Sequence, residues 1–129
     1  MTTINSTGFV YNEQLNAVIL DELFGTDYDY VITVFESVVK ELTLQWKELE
    51  VAYRDNNIQC LRATAHKCKT LYAYTGFCSM QSRLKLVEEL CETGESSVKL
   101  TAEMEHLWIT HPSALLTLAN EIERLKSIA

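Results

Sequence analysis

The chain has 129 residues, of which 47% are apolar and 22% charged, with a formal net charge of -7. This length suits one domain with one core, so we expect a single domain over residues 1–129 with a flexible segment at 1–11. The negative charge argues against nucleic acid or an anionic membrane surface as a partner. One proline and four glycines favour helices over a many-stranded sheet.

The sequence carries no targeting, disulfide or zinc pattern. It has no run of about eighteen apolar residues, and the start MTTINSTGFVYNEQ lacks the basic end and apolar core of a signal peptide. These features predict a cytoplasmic protein. The four cysteines lie in helical apolar patterns without a C-x-x-C pair, so we expect reduced thiols.

Apolar residues at spacings of three and four predict a short first helix. Asn12 is a suitable N-cap, and the helix should end near Phe24, before Gly25. The predicted buried side of this helix carries Leu15, Val18, Ile19 and Leu23.

A second, long amphipathic helix is predicted after the capping signal Thr26-Asp27, with an apolar stripe that extends from Val31 to Tyr53. The polar segment at 54–57 then breaks the pattern and supplies the cap of a third helix. The apolar stripe of the third helix contains Ile58, Leu61, Ala65, Cys68 and Tyr72.

Glycines delimit the fourth helix: Gly76 ends the third helix, and the fourth starts at Cys78 and ends before Gly94. We interpret His111-Pro112 as a break between two C-terminal helices, because proline removes a backbone donor. The predicted fold is therefore all-α, an antiparallel four-helix bundle with a short N-terminal helix and a C-terminal helix interrupted near Pro112. The stripe of the fourth helix contains Phe77, Met80, Leu84, Val87 and Cys91.

The third helix carries the stretch ATAHKCKTLYAYTGF, which places a histidine among small, apolar and basic residues. At about 100° per residue, His66 lies roughly 130° from the mean direction of the apolar stripe, which predicts an outward imidazole. Arg62, Lys69 and Thr70 lie one turn away, and Ala73 follows one turn further on. An outward imidazole is a nucleophile at neutral pH, and Lys69 is placed to neutralise a phosphoryl group on it. A plain surface histidine also fits this periodicity.

These residues resemble the motif of the histidine-containing phosphotransfer (HPt) domains of two-component phosphorelays. In that family a lysine follows the histidine by three residues, a small residue comes next, and a glycine ten residues after the histidine closes the helix. The matching positions here are His66, Lys69, Thr70 and Gly76. The order of helices also agrees over about residues 12 to 94. The resemblance implies a four-helix bundle with the histidine exposed near the middle of its helix.

The resemblance also implies a mechanism in which His66 accepts a phosphoryl group from a receiver-domain aspartate and passes it to the aspartate of another receiver. Lys69 would stabilise the phosphoryl charge. The implied partners are the receiver domains of response regulators and of hybrid sensor histidine kinases, which supply Mg2+. This chain would be a monomeric carrier rather than an independent enzyme, with no cofactor or metal of its own.

A docking surface for the receiver is implied around the histidine. Thr70 stands where the family usually has glycine, and its side chain either crowds a receiver or hydrogen-bonds the phosphoryl oxygens. On the following helix, Lys85 and Glu89 should lie near the height of His66. The residues expected on the docking surface are Arg62, Thr70, Ala73 and Gly76.

Two other functions fit parts of the sequence. Glu103-Met-Glu105-His106 contains the E-x-x-H element of di-iron bundles, but no second copy precedes His66 or His111. His106 and His111 are poorly spaced to share a metal ion, so we expect capping or surface roles for both. The main alternative is a phosphorylation-incompetent helical adaptor that binds receiver or kinase domains without phosphotransfer.

Overall fold

The computed structural model describes residues 9–94 and 97–128, and within these ranges the chain contains helices and no strand. The predicted all-α class is therefore confirmed. None of the helices in these ranges combines the length and the apolar character needed to cross a membrane. The helices are α1 (Ala17–Phe24), α2 (Tyr28–Arg54), α3 (Ile58–Ala73), α4 (Cys78–Thr93) and α5 (Ser97–Ile128).

The four long helices pack side by side as a bundle. Helix α2 contacts α3 and α5, and α4 also contacts α3 and α5, while α1 packs on α2. The start of α2 meets the end of α5, where Lys126 pairs with Glu36 at 3.0 Å. The end of α2 meets the start of α5, where the Tyr53 hydroxyl donates to the Thr101 hydroxyl at 3.1 Å. Helices α2 and α5 therefore run in opposite directions.

The core consists of the inward faces of these helices. The stripes predicted for α3 and α4 are buried, except that Ile58 at the first turn of α3 is 37% exposed. The stripe predicted for α2 is buried in part, since Val34, Trp46 and Tyr53 are half-buried and pack against the core. Each fully buried leucine or phenylalanine contributes about 1.5–3 kcal/mol to folding. The largest fully buried side chains are Tyr72, Phe35, Leu20, Leu42, Leu49, Leu61, Leu84, Met104, Leu107, Leu118, Leu125 and His111.

Helix α1 starts later than predicted and buries a different face. Asn16 caps it by accepting a hydrogen bond from the first turn, whereas Asn12 lies in the preceding turn. Leu20 is the buried residue of α1, while Val18 and Leu23 are exposed. The prediction was right for Leu15, which is buried just before the helix, and wrong for Val18 and Leu23, because eight residues are too few for the apolar spacing to identify the inward face.

The described residues before α1 pack against α5. Of the segment 1–11, which the sequence suggests is flexible, residues 1–8 lie outside the described residues. Phe9 lies under the guanidinium of Arg124, at 4.5 Å from its ring centroid. Arg124 also pairs with Glu121, whose carboxylate is almost fully buried. Packing against α5 therefore includes residues that precede α1 in the chain.

Pro112 lies inside α5, which continues from Ser97 to Ile128, so the predicted interruption is wrong. Proline removes one intrahelical hydrogen bond, but tertiary packing holds the helix together at this point. His111 is buried, and its ring stacks on Trp46 with centroids 3.6 Å apart. Its Nδ1 is 2.7 Å from the hydroxyl of Tyr72. The surface or capping role expected for His111 is therefore also wrong.

Candidate functional site

His66 faces outward from α3, as the periodicity predicts. Asn57 caps α3 by accepting a hydrogen bond from its first turn, which sets the start of the helix. Ala65 and Cys68 turn into the core, where both are 0% exposed. The side chain of His66, on the opposite face, is 64% exposed. The imidazole is thus accessible near the middle of a helix anchored by its other face.

A carboxylate on α4 holds the imidazole. Oε1 of Glu88 lies 2.6 Å from Nδ1 of His66, and Oε2 accepts a 2.6 Å hydrogen bond from the ammonium of Lys69. The side chain of Glu88 is 9% exposed and that of Lys69 is 25% exposed. Nε2 of His66 makes no hydrogen bond in the part of the chain that the structure describes. One ring nitrogen is therefore anchored and the other faces solvent.

Sequence reasoning placed Lys85 and Glu89 near the height of His66 but missed Glu88, the residue next to Glu89 that bonds the imidazole. Glu88 lies four residues after Leu84 and three before Cys91, so it interrupts the apolar stripe of α4 with a charge. A carboxylate on a buried stripe needs a hydrogen-bonding or charged partner, because burying it unpaired costs several kcal/mol. That position is the signal in the sequence that could have identified Glu88 as an acid with a partner.

The two predicted cations near His66 are both engaged. Lys69 is bonded to Glu88 rather than projecting freely beside the outer nitrogen. Arg62 lies 3.6 Å from Glu92 in a pair whose two side chains are about half exposed. Exposed pairs of this kind are weak and exchange partners readily. Arg62 therefore remains available to a docking partner, whereas Lys69 must leave a partly buried carboxylate first.

Thr70 lies at the surface beside the histidine. Its hydroxyl donates to the backbone carbonyl of His66 at 3.1 Å, so its one proton is already used within the helix. Ala73 is half-buried one turn further on.

Gly76 is not brought to this surface. It is buried in the turn between α3 and α4, with φ of 68°, and its carbonyl accepts a 2.8 Å hydrogen bond from the backbone of Asn16. A Cβ at this position would lie 3.1 Å from the backbone N and O of Asn16. Gly76 therefore joins two turns and shapes the end of the motif helix, rather than offering exposed docking surface.

Two adjoining grooves run along the junction of α2 and α3 next to His66. The first has a volume of about 280 Å³ and is lined by His66, Thr70 and side chains of α2. The second, of about 620 Å³, shares Glu41 and Leu71 with the first and continues toward α1. Its lining is largely apolar, and several of its residues are half-exposed, which is typical of a docking surface. The apolar residues of the second groove are Leu23, Phe24, Tyr30, Val34, Val38, Leu71 and Tyr74.

The other candidate chemistries have weaker support. In residues 9–94 and 97–128 no three metal-ligating side chains come together. Glu103 of the E-x-x-H element lies 3.8 Å from Arg83, and His106 is exposed. All four cysteines are free, as predicted, and burial raises the pKa of Cys68 to about 12, which leaves an unreactive thiol.

Comparisons of the chain with protein-family models, with curated proteins and with solved structures found no match. A function for this chain therefore has to be inferred from the chemistry of the His66 site.

Proposed function

We propose that this chain is an HPt-type phosphorelay intermediate. His66 accepts a phosphoryl group from the aspartate of one receiver domain and passes it to the aspartate of another. The observation that carries this proposal is the exposed imidazole with Nδ1 held by Glu88 at 2.6 Å and Nε2 directed to solvent. A nucleophile of this kind needs an accessible lone pair and a fixed ring, and both are present.

The chemistry of the proposed transfer balances without an external base. The lone pair of Nε2 attacks the phosphorus of the aspartyl phosphate, and the P–O bond to the receiver carboxylate breaks. The carboxylate leaves with the electron pair, while the proton stays on Nδ1, which donates its hydrogen bond to Glu88. Transfer to the second receiver reverses these steps. The receiver supplies Mg2+, which neutralises phosphoryl charge, so this chain is a carrier and not an independent enzyme.

In this proposal Lys69 supports the phosphorylated state. Its ammonium exchanges the bond to Glu88 for the phosphoryl oxygens, which carry more negative charge and lie within one turn of the helix. In the unphosphorylated state Glu88 therefore binds both His66 and Lys69, and in the phosphorylated state Lys69 binds the phosphoryl group instead. Glu88 keeps the ring in place in both.

The arrangement of helices also supports the proposal. Along α3 and α4, Arg62 pairs with Glu92 and His66 with Glu88, so the two helices run in opposite directions. With the opposed α2 and α5, these pairs favour an antiparallel four-helix bundle of the HPt type. Receiver domains of response regulators and hybrid kinases would dock on the apolar groove beside the histidine. We further propose a monomeric, cytoplasmic protein.

A second function is favoured by one observation. Because Lys69 is bound to Glu88, the cation expected to neutralise a phosphoryl group on His66 is already paired with a carboxylate. A helical adaptor could use the same groove to bind a receiver or kinase domain without accepting phosphate. Binding without transfer distinguishes this function from the relay.

The proposal is tested by incubating the chain with receiver domains labelled from radioactive acetyl phosphate in the presence of Mg2+. The wild type should acquire an acid-labile, alkali-stable phosphate, and His66→Gln should acquire none. His106→Gln is the matched control, because it removes another exposed histidine outside the site. Equal label on wild type and His66→Gln, or acid-stable label, contradicts the relay. Binding of a receiver without label supports the adaptor.

A further inference from the structure

The carboxylate of Glu88 is the one described acid bonded to the His66 ring. We propose that Glu88 is a positioning residue that selects Nε2 as the phosphoryl acceptor and keeps a proton on Nδ1 while the phosphoryl group leaves. The inference rests on the proposed relay function, since it assigns a role in that transfer.

The geometry determines which nitrogen holds the proton. An ionised carboxylate can only accept hydrogen bonds, so the nitrogen that faces Glu88 must be the N–H donor. The 2.6 Å separation is at the short end for such a bond, as expected for a charge-assisted pair. Lys69 fixes the other carboxylate oxygen, and burial restricts the side chain further. The lone pair of the ring is therefore on Nε2, the solvent-facing atom.

The same proton matters when the phosphoryl group departs. When the Nε2–P bond breaks, its electron pair returns to the ring, and a P–O bond forms to the acceptor. With a proton on Nδ1 the ring leaves as neutral imidazole, whereas without it the ring would leave as an imidazolide anion, a poor leaving group. The negative charge of Glu88 favours that proton. No other atom gains or loses a proton in the step.

The other charges around the ring come from both neighbouring helices. Glu41 of α2 lines the groove beside His66, and Lys67 lies next to His66 on α3. One turn away, the charges of Arg62 and Glu92 offset each other. None of these groups bonds Nδ1 of His66, and Lys69 bonds Glu88 rather than the ring. Glu88 is therefore the charged group that acts most directly on the Nδ1 proton.

The state of the ring can be measured without any phosphotransfer. Nitrogen NMR of the full chain at about pH 8, where imidazole is largely neutral, reports which ring nitrogen carries the proton. The wild type and the matched control Glu89→Gln should show the proton on Nδ1 of His66. Glu88→Gln, which is isosteric but uncharged, should shift the population toward Nε2–H. A wild type with the proton on Nε2, or Glu88→Gln identical to wild type, overturns the inference.

The second measurement follows the leaving step. The proteins are phosphorylated with phosphoramidate, which needs no partner, and the loss of phosphate is followed between about pH 6 and pH 8.5. The wild type and Glu89→Gln should lose phosphate at a rate that changes little over this range. Glu88→Gln should slow steadily as pH rises, by at least about tenfold at the upper end, because it lacks the anion that retains the proton. Equal pH profiles for Glu88→Gln and wild type contradict the proposal.

The two measurements separate this inference from the proposed function. If His66 of the wild type accepts phosphate from neither phosphoramidate nor a receiver, the relay fails while the tautomer measurement still reports on Glu88. If His66 is phosphorylated but the Glu88→Gln profile matches wild type, the relay stands and the role of Glu88 fails. Circular dichroism of Glu88→Gln checks that the helices are intact, so that a changed profile is not a consequence of unfolding.

Discussion

Tyr72 and His111 are joined by a 2.7 Å hydrogen bond between the phenol oxygen and Nδ1, although they lie 39 residues apart in sequence. Tyr72 belongs to the motif helix α3, and His111 lies immediately before Pro112 in α5. Both side chains are buried, and Nε2 of His111 has no protein partner among the described residues. Burial lowers the pKa of His111 to about 4 and raises the pKa of Tyr72. The helix that presents His66 is thus tied to α5 through a neutral histidine.

This pair predicts a loss of stability in weak acid. The unfolded chain binds a proton on His111 below its ordinary pKa of 6.5, whereas the folded chain binds it only near pH 4. The contribution to stability is therefore complete above pH 6.5 and is lost as pH falls toward 4. A difference of this size amounts to roughly 3 kcal/mol. Urea unfolding at neutral and acidic pH should show a smaller pH dependence for His111→Gln than for wild type, and an unchanged one for His106→Gln. Equal dependence in all three proteins contradicts the assignment.

Pro112 should lower the free energy of unfolding of the protein, because it lies in the interior of α5. Its ring leaves the carbonyl of Trp108 without an intrahelical donor, in a helix that is otherwise continuous. Pro112→Ala is therefore expected to raise the free energy of unfolding by about 1–3 kcal/mol, measured by urea denaturation. Ser113→Ala, at the next exposed position, should change it by less than about 0.5 kcal/mol. A destabilised Pro112→Ala would mean that the proline contributes packing or a bend that the bundle needs.

The two glycines that flank α4 should respond differently to the same substitution. Gly76 and Gly94 both have positive φ, of 68° and 64°. A Cβ at Gly94 meets open space, so alanine there costs about 1 kcal/mol from backbone strain alone. A Cβ at Gly76 would also lie only 3.1 Å from the backbone atoms of Asn16. Backbone atoms cannot move aside as the end of a flexible side chain can. Gly76→Ala should therefore be clearly less stable than Gly94→Ala in thermal unfolding, and equal losses would contradict the contact.

Thr70 is expected to limit the approach of a receiver rather than to bind the phosphoryl group. Its hydroxyl proton is used by the carbonyl of His66, which leaves the methyl group and the bulk of the side chain beside the imidazole. Thr70→Ala should therefore transfer phosphate at a rate equal to or severalfold above wild type. Thr70→Ser, which keeps the hydroxyl and removes the methyl, should behave like Thr70→Ala. If Thr70→Ser keeps the wild-type rate while Thr70→Ala is much slower, the hydroxyl has a direct role in transfer.

The sequence predicted those features that depend on one helix at a time. The apolar stripes of α2, α3 and α4 repeat at spacings that identify an inward face, so the outward direction of His66 followed from Ala65 and Cys68. The bond to Glu88 did not follow, because the relative rotation of α3 and α4 depends on how two faces pack. The continuity of α5 depends on the packing of His111 against Trp46, a contact between residues far apart in sequence. Pro112 alone indicated a break.

The most direct test of the central claim is to locate the phosphate. The nitrogen-labelled chain is phosphorylated by a receiver domain, and phosphorus–nitrogen coupling is measured by NMR. The account predicts coupling to Nε2 of His66, with Nδ1 still carrying its proton toward Glu88. Phosphate on Nδ1, phosphate on another residue, or receiver binding without phosphorylation of His66 would contradict it.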